Sequence, residues 1–352
     1  MTKLVKLAVV GAGLVGRRHI AAIAQSAEAE LTAVVEPAGA AFGDVPVFKD
    51  VAALFAGAEV DGVILSTPTK LHVDGALECI ARGIPVLVEK PLATTVYEAR
   101  QIATASDQRG VPVLVGHHRR HNPIIQKAAA LIQSGAIGRV RAAQSTCWFY
   151  KPDDYFDVAP WRTQKGAGPI SVNLVHDIDL MRYFCGEVVA VQAQMAPSLR
   201  GFENEDLAAA VLRFANGAIC TVSVSDSVVA PWSWEMTSAE NPVYPVTDQS
   251  CYVIGGSEGS LSLPDMRLWR HDGDRSWWNP MSATVSARGA ADPLIRQIDH
   301  FAEVIRGGAA PLVSALEGLR TMQVIEAIQA AAETQQLVQI IEYSGGVPDA
   351  AE

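Results

Sequence analysis

The chain has 352 residues, too many for one ordinary hydrophobic core and suited to two packed domains. Apolar residues make up 49% and charged residues only 19%, so it can bury a large core and does not read as disordered. With 28 Lys and Arg against 38 Asp and Glu, the formal net charge of -10 speaks against nucleic acid or an anionic membrane as a partner, and no basic run offsets it.

The N-terminal stretch MTKLVKLAVVGAG is an apolar run soon broken by glycines, without a signal-peptide cleavage pattern, and nowhere do eighteen uncharged apolar residues follow one another. A cytoplasmic location is the expectation. The five cysteines, Cys79, Cys147, Cys185, Cys220 and Cys251, are odd in number, widely spaced and without a C-x-x-C pair. They read as buried thiols in a reducing compartment, not as a disulfide frame or a thiolate zinc site.

In chain order, the short runs KLAVVGAG, LTAVVE, GVILST, PVLVEK and VPVLVG alternate with amphipathic or alanine-rich stretches. Continuous apolar strands separated by helices predict a parallel sheet covered on both faces, an N-terminal doubly wound (Rossmann) α/β domain over residues 1–120. A helix follows in NPIIQKAAALIQSG, and then strand-like runs dominate: RVRAAQSTCWFY, VVAVQAQM, LAAAVLRFANGAICTVSVSDS and CYVIGGSEGSLSLP. Asn216-Gly217 between two such runs is a hairpin signal. These runs predict a C-terminal α/β domain with a large, mainly antiparallel open sheet over residues 121–345. Two helices close the chain: DPLIRQIDHFAEVIRGG ends at paired glycines, and SALEGLRTMQVIEAIQAAAETQQ opens with Ser314 and Glu317 at capping-box spacing. Both are candidates to pack back on the first domain, and the tail from Gly345 is expected to fray.

The run Gly11-Ala12-Gly13-Leu14-Val15-Gly16 follows the first strand and opens a helix, the context that G-x-G-x-x-G needs to bind a dinucleotide. Its glycines let the backbone turn tightly and approach a pyrophosphate at helix-terminal N–H groups. Glu36 ends the second strand twenty residues past Gly16. An acid there accepts hydrogen bonds from an adenosine ribose and repels a 2′-phosphate, which favours NAD over NADP. Arg17 and Arg18 weigh slightly the other way, since either is within reach of a phosphate.

Lys90, in VEKPL, sits at the carboxyl end of a parallel strand, where ligands of open α/β sheets bind. Such a lysine can hydrogen-bond a substrate hydroxyl and stabilise negative charge on it. In GPISVNLVHDIDL, His176 has helix-compatible neighbours in Asp177 and Asp179. The segment GHHRRHNP carries His117, His118 and His121, but adjacent residues point apart and no nearby carboxylate or thiolate completes a metal set. No metal is expected, and His118 is the histidine expected to line the site. The loop FYKPDDYFDVAPWR offers Lys151, Tyr155, Trp161 and Arg162, and PWSWEMTSAENPVYP offers Trp232 and Trp234. Arg162 is suited to clamping an oxyanion and the tryptophans to walling a sugar or ring.

The glycine loop, Ser66-Thr67-Pro68 followed by His72, Glu89-Lys90-Pro91, and Gly166-x-Gly168 leading to His176-x-x-Asp179 together resemble the Gfo/Idh/MocA oxidoreductase family over nearly the whole chain. The resemblance implies an NAD(P)-binding Rossmann domain and a C-terminal domain for substrate binding and oligomerisation, whose open sheet joins subunits into a homodimer or homotetramer. It implies that Ser66, Thr67, Pro68, His72, Glu89, Lys90 and His118 contribute to the cofactor site, that Lys90 is the catalytic lysine, and that the Lys90-Pro91 bond can be cis. His176 matches the catalytic histidine, and the loop with Lys151, Tyr155, Trp161 and Arg162 matches one that faces the pocket. In one respect the chain departs: many members carry an aspartate four residues before the histidine, where Val172 stands here. Regular α-helical spacing places 172, 176 and 179 on one face, and Asn173 or Asp179 is left to orient the imidazole.

The expected activity is hydride transfer between NAD and a secondary alcohol or ketone of a sugar, polyol or cyclic hydroxy compound, an anionic one included. His176 takes the hydroxyl proton, Lys90 stabilises the oxygen, and Asn173 or Asp179 assists. Two other readings stay open: a glycoside-cleaving enzyme that works by transient oxidation with tightly held NAD, and a non-catalytic NAD-binding sensor.

Overall fold

The computed structural model describes residues 3–341, so the expected fraying from Gly345 lies outside the described residues. The chain divides into two compact units, one taking in the chain up to Asn122 together with Ala291–Met322, the other Pro123–Ala290 together with the stretch from Gln323.

The first unit runs β1 (Val5–Val10), α1 (Leu14–Ile23), β2 (Ala29–Val35), β3 (Val47–Phe48), α2 (Val51–Gly57), β4 (Gly62–Leu65), α3 (His72–Ala81), β5 (Val86–Val88), α4 (Val96–Arg109) and β6 (Val113–Val115). The six strands are parallel, in the order β3-β2-β1-β4-β5-β6. Their continuous apolar character follows from burial on both faces. Ala8, Val10, Val63, Leu65, Val86 and Val88 pack with Leu54 of α2, Ile80 of α3 and Ile102 of α4. Leu7, Val9, Ile64 and Leu87 point the other way, onto Ile23 of α1 and onto Ile298 and Phe301 of the helix Pro293–Ile305.

The remaining elements are α5 (Pro123–Gln133), β7 (Val140–Trp148), α6 (Asp153–Asp157), α7 (Val175–Cys185), β8 (Val188–Pro197), β9 (Glu205–Phe214), β10 (Ile219–Ser225), α8 (Trp234–Thr237), β11 (Tyr252–Gly256), β12 (Ser260–Leu263), β13 (Arg267–His271), β14 (Met281–Val285), α9 (Pro293–Ile305), α10 (Ala315–Thr334) and β15 (Val338–Gln339). A nine-stranded sheet has the order β14-β13-β12-β11-β7-β10-β9-β8-β15. Every neighbouring pair is antiparallel except β7 with β10. Asn216-Gly217 makes the predicted turn between β9 and β10, with Gly217 at φ 83° and the Ala218 N–H on Asn216 Oδ1 at 2.9 Å.

Along β9, buried and exposed residues alternate, as a sheet with one covered face requires. Ala208, Ala210, Leu212 and Phe214 join Val222, Ile254 and Leu261 against Ile125, Leu174, Ile178, Met181 and Ile328. The opposite face is open: Gln192, Val211, Thr221, Gln144 and Val253 stand side by side across five strands, all exposed. The fold is the predicted parallel Rossmann sheet accompanied by a larger, mainly antiparallel one. All five cysteines are free and buried. Among the described residues no helix is long and apolar enough to cross a membrane.

Candidate functional site

β1 ends at Val10 and α1 begins at Leu14, so the glycine run spans a three-residue turn and the first turn of the helix. Gly11 has φ 87°, and a Cβ on it would lie 2.9 Å from the Ser66 carbonyl oxygen. A Cβ on Gly16 would lie 1.9 Å from the Gly11 oxygen, so both positions exclude a side chain. Around Gly13 nothing lies within 4 Å of where a Cβ would stand. That open space lies at the N-terminus of α1, while Leu14 and Val15 are exposed and Ala12 is buried. Ser66 at the end of β4 ties its Oγ–H to the Gly11 oxygen at 2.8 Å, and Thr67 Oγ1 is buried with no hydrogen-bond partner among the described residues. Glu36 follows β2 directly; its Oε2 accepts from Ala12 N–H at 3.0 Å and its Oε1 from Ala38 N–H at 3.1 Å. Arg17 lies over the Phe42 ring, 5.2 Å from its centroid.

At the end of β5 the Lys90-Pro91 peptide is cis. Glu89 Oε1 meets His19 Nε2 at 2.7 Å and its Oε2 accepts from the Lys90 backbone N–H at 3.0 Å. Burial acts to raise the Glu89 pKa, but the His19 hydrogen bond and the charges of His19, His118 and Lys90 outweigh it and hold the carboxyl at about 2. His72, buried at the start of α3, has Nδ1 3.0 Å from the Pro91 oxygen and Nε2 3.0 Å from the Thr67 oxygen. Burial lowers its pKa, partly countered by the Thr67 and Pro91 carbonyls and by Glu89. Pro68, exposed, precedes the short 3-10 turn Thr69–Leu71. Thus Ser66 meets Gly11, His72 joins the Thr67 and Pro91 turns, and His118 acts on Glu89 beside Lys90. Sequence reasoning missed His19; its only signal is its place three residues after Gly16, on the buried side of α1.

In the second unit, His176 is the second residue of α7 and is buried, as are Asp177 and Asp179. Before it, Ile170–Leu174 form a π-helical turn. Regular α-helical spacing therefore does not hold there, which corrects the face assignment made for 172 and 176. Asn173 is half-buried, its Oδ1 without a partner among the described residues. Glu205 Oε1 accepts from Ile170 N–H at 3.0 Å; burial raises its pKa and that bond opposes the rise. Gly168 leaves room for this carboxylate, which a Cβ would approach to 2.2 Å. Asp177, another residue that sequence reasoning gave no role, accepts a short hydrogen bond from the Tyr252 hydroxyl.

Trp234 is corrected from a substrate wall to a core residue. It is 1% exposed, stacks on Tyr252 with centroids 5.6 Å apart, and donates Nε1–H to Glu240 at 2.9 Å. Trp232 is partly exposed and its Nε1–H meets Gln249 Oε1 at 3.3 Å. The 151–162 loop does gather its predicted residues. The Arg162 guanidinium lies 4.1 Å from the Tyr155 ring centroid and 5.7 Å from that of Trp161, and Lys151 Nζ lies 5.0 Å from Tyr155. Arg162 donates Nη1–H to the Tyr155 oxygen at 2.6 Å, while its Nε is buried without a partner among the described residues. Lys151 is turned inward, with Nζ 3.3 Å from Asp226 Oδ2; Arg200 holds the other oxygen at 3.2 Å. Burial lowers the Lys151 pKa, and the Asp226 charge opposes this.

Residues 5–117 match the model of an oxidoreductase family with an NAD-binding Rossmann fold, and residues 125–262 match the GFO/IDH/MocA C-terminal domain. An inositol 2-dehydrogenase of Mycolicibacterium gilvum (strain PYR-GCK) is 31% identical over 291 residues, 79% of this chain and 76% of its own. The chain belongs to the Gfo/Idh/MocA family. It is also 25% identical, over 92% of its length and 93% of the relative's, to the rhizopine catabolism protein MocA of Rhizobium meliloti. The crystal structure of an oxidoreductase from Agrobacterium radiobacter, in complex with NAD+, L-tartaric acid and magnesium, shares the fold. Its TM-score is 0.81 at 21% identity, covering 96% of this chain and 99% of that one.

As a Gfo/Idh/MocA member the protein is an NAD-binding oxidoreductase, and its relatives include sugar and polyol dehydrogenases. The first unit fits the cofactor: an uncrowded Gly13 at a helix N-terminus suits a pyrophosphate, and Thr67 Oγ1 is a buried hydroxyl still able to bond. Among the described residues no group of three His, Cys, Asp or Glu side chains is arranged to hold a metal ion.

Proposed function

We propose that the protein is a dehydrogenase or reductase that works on a secondary alcohol or ketone of a sugar, polyol or cyclic hydroxy compound. In this reading the first unit is the cofactor domain and the second the domain for substrate and oligomerisation. The observation that carries it is the setting of Lys90. It stands at the carboxyl end of β5, in the unit that carries the glycine loop, with its backbone N–H on a carboxylate kept ionised by His19, His118 and Lys90 itself.

NAD, when bound, accepts or returns the hydride at its nicotinamide ring. The Lys90 ammonium hydrogen-bonds the reacting oxygen and stabilises the negative charge that develops there. His176 takes the hydroxyl proton as general base, a role worth roughly 10²- to 10⁴-fold. Asn173 and Asp179 orient the imidazole; the Asn173 Oδ1, buried without a partner among the described residues, supports a polar contact at that turn. Ser66, Thr67, Pro68, His72, Glu89 and His118 shape the cofactor side. Preference for NAD over NADP is supported by the Glu36 carboxylate beside Ala12, which would repel a 2′-phosphate.

An anionic group on the substrate is supported by Arg162, whose Nη1 is engaged with Tyr155 while its buried Nε has no partner among the described residues. A guanidinium offering Nε–H and a neighbouring N–H suits bidentate contact with a carboxylate. Tyr155, Trp161 and Trp232 give flat apolar surfaces for a ring, and Lys151 backs that loop through Asp226. The open sheet face, with Leu207, Val211, Ile219 and Val253 exposed on it, supports a homodimer or homotetramer built through this sheet. Five free buried thiols are in keeping with a cytoplasmic location.

The test is purified protein with NAD and a panel of sugars, inositols, cyclic hydroxy acids and glycosides, followed both by NADH absorbance and by glycoside hydrolysis. NADH formation that is lost in Lys90→Ala and His176→Ala is the expected result. Activity that survives both substitutions refutes the assigned roles. Hydrolysis without NADH would instead identify a glycoside-cleaving enzyme, and NAD binding without turnover a sensor.

A further inference from the structure

Two buried imidazoles flank Lys90, and hydride transfer as described above uses neither as an acid or base. His19 lies on α1, the helix that the glycine loop opens, and its Nε2 meets Glu89 Oε1 at 2.7 Å. The other Glu89 oxygen accepts from the backbone N–H of Lys90 itself at 3.0 Å. His72 opens α3 and stands 3.0 Å from the Pro91 oxygen and 3.0 Å from the Thr67 oxygen. The segment Glu89–Pro91 is thus gripped at its first residue by one histidine and at its last by the other. Gly116, at the end of β6, leaves room for the Glu89 carboxyl, whose carbon would lie 2.9 Å from a Cβ at that position.

We propose that His19 is a positioning residue for Lys90, clamping the Glu89–Pro91 turn to the helix behind the glycine loop through the Glu89 carboxyl. The proposal rests on the assigned role of Lys90 in the reaction. A lysine ammonium hangs on a flexible four-carbon stem, so the chain aims it chiefly by fixing the backbone from which it springs. A misplacement of about 1 Å in a reacting geometry can cost roughly 10²-fold in rate. Burying the Glu89 carboxylate is costly without compensating hydrogen bonds, and those present come from the dinucleotide helix and from Lys90's own peptide. The elements that shape the cofactor loop thereby also set the lysine.

His72 adds an asymmetry. Its ring faces two carbonyl oxygens, which only accept, so both bonds form together only when both ring nitrogens carry protons. With burial lowering its affinity for the second proton, the neutral ring donates to one carbonyl at a time, Thr67 or Pro91.

The experiment compares His19→Leu, His19→Gln, Glu89→Ala and Lys90→Met with the unmodified protein. It reads kcat on the best compound of the panel, NAD affinity by calorimetry, and labelling of Lys90 by trinitrobenzenesulfonate mapped by mass spectrometry. His19→Leu is expected to lower kcat roughly 10- to 100-fold with NAD affinity little changed, and to change Lys90 labelling several-fold. His19→Gln keeps a donor near Nε2 and is expected to restore most of both.

Unchanged kcat and labelling in His19→Leu overturn the proposal. So does a loss of kcat and a change of labelling that His19→Gln leaves unrepaired, since plain packing would give that. Should His19→Leu not fold, Glu89→Ala decides: it removes the carboxyl that joins His19 to Lys90 N–H, and unaltered kcat and labelling there refute the clamp. Full activity in Lys90→Met refutes the role of Lys90 itself, whereas an inactive Lys90→Met beside a fully active His19→Leu overturns the clamp alone.

Discussion

His121 makes the folded protein acid-labile in a predictable window. It ends the 3-10 helix His118–His121, is 5% exposed, and packs against His300 with ring centroids 5.2 Å apart. Burial first, then the charges of His300, His118, Arg296 and Arg120, push its pKa from 6.5 down to about 3. Between those values the unfolded chain binds a proton that the folded chain refuses, so stability is lost as pH falls from 6.5 towards 3. Each pH unit inside the window costs about 1.4 kcal/mol, which gives about 2.7 kcal/mol at pH 4.5 and about 4–5 kcal/mol by pH 3.

His121→Phe keeps a ring of similar size that does not titrate. Urea unfolding of both proteins at several pH values from 7 to 4.5 measures the difference. The variant carries a fixed packing cost, but its stability should gain on the unmodified protein by about 2–3 kcal/mol across that range. His300, whose pKa is also lowered by burial, is present in both proteins and largely cancels. Glu89, with its carboxyl at about 2, contributes stability above the ordinary carboxylate value of 4.5 and loses it below, outside the measured range of pH 7 to 4.5, and it is present in both proteins. Parallel stability curves for the two proteins would refute the reasoning.

Gly16→Ala forces a Cβ to within 1.9 Å of the Gly11 carbonyl, so the glycine loop must shift, and calorimetry should find NAD affinity weakened at least tenfold, about 1.4 kcal/mol. Glu36→Ser removes the charge beside Ala12, and the ratio of kcat/KM for NAD to that for NADP should fall by about tenfold or more. Asp226→Asn leaves Lys151 and Arg200 without their shared carboxylate; since Lys151 and Asp226 are both buried, chemical denaturation at pH 7 should register a loss of about 3–5 kcal/mol.

The first unit was legible because its physics is local. Strands buried on both faces have to be continuous apolar runs, and the close approach of Gly16 to Gly11 leaves glycine as the residue that fits. What escaped has little local signature. β3 is two residues long, and β14 is exposed along its whole length, so neither shows a buried-exposed alternation. His19 gains its meaning from Glu89, seventy residues away, and Trp234 from a stacking partner on β11. In sequence PWSWEMT looks like an aromatic loop open to ligand; in the fold its second indole closes the core.

The surroundings of His176 show why nearness in sequence is a poor guide to which acid serves which group. Asp177 is next to it in the chain, yet successive residues of a helix point about 100° apart, and this carboxylate accepts from Tyr252, seventy-five residues on. Glu205 is remote in sequence but caps the π-helical turn directly ahead of the histidine through Ile170 N–H. A wide turn of this kind is uncommon and collects at functional positions because it re-aims the side chains it carries. Here it carries Val172, where many family members have an acid, and Asn173, whose Oδ1 is buried without a partner among the described residues. The departure at Val172 therefore does not by itself strip the turn of polar chemistry, since the same turn still presents an amide one residue later, held at its start by a carboxylate from β9.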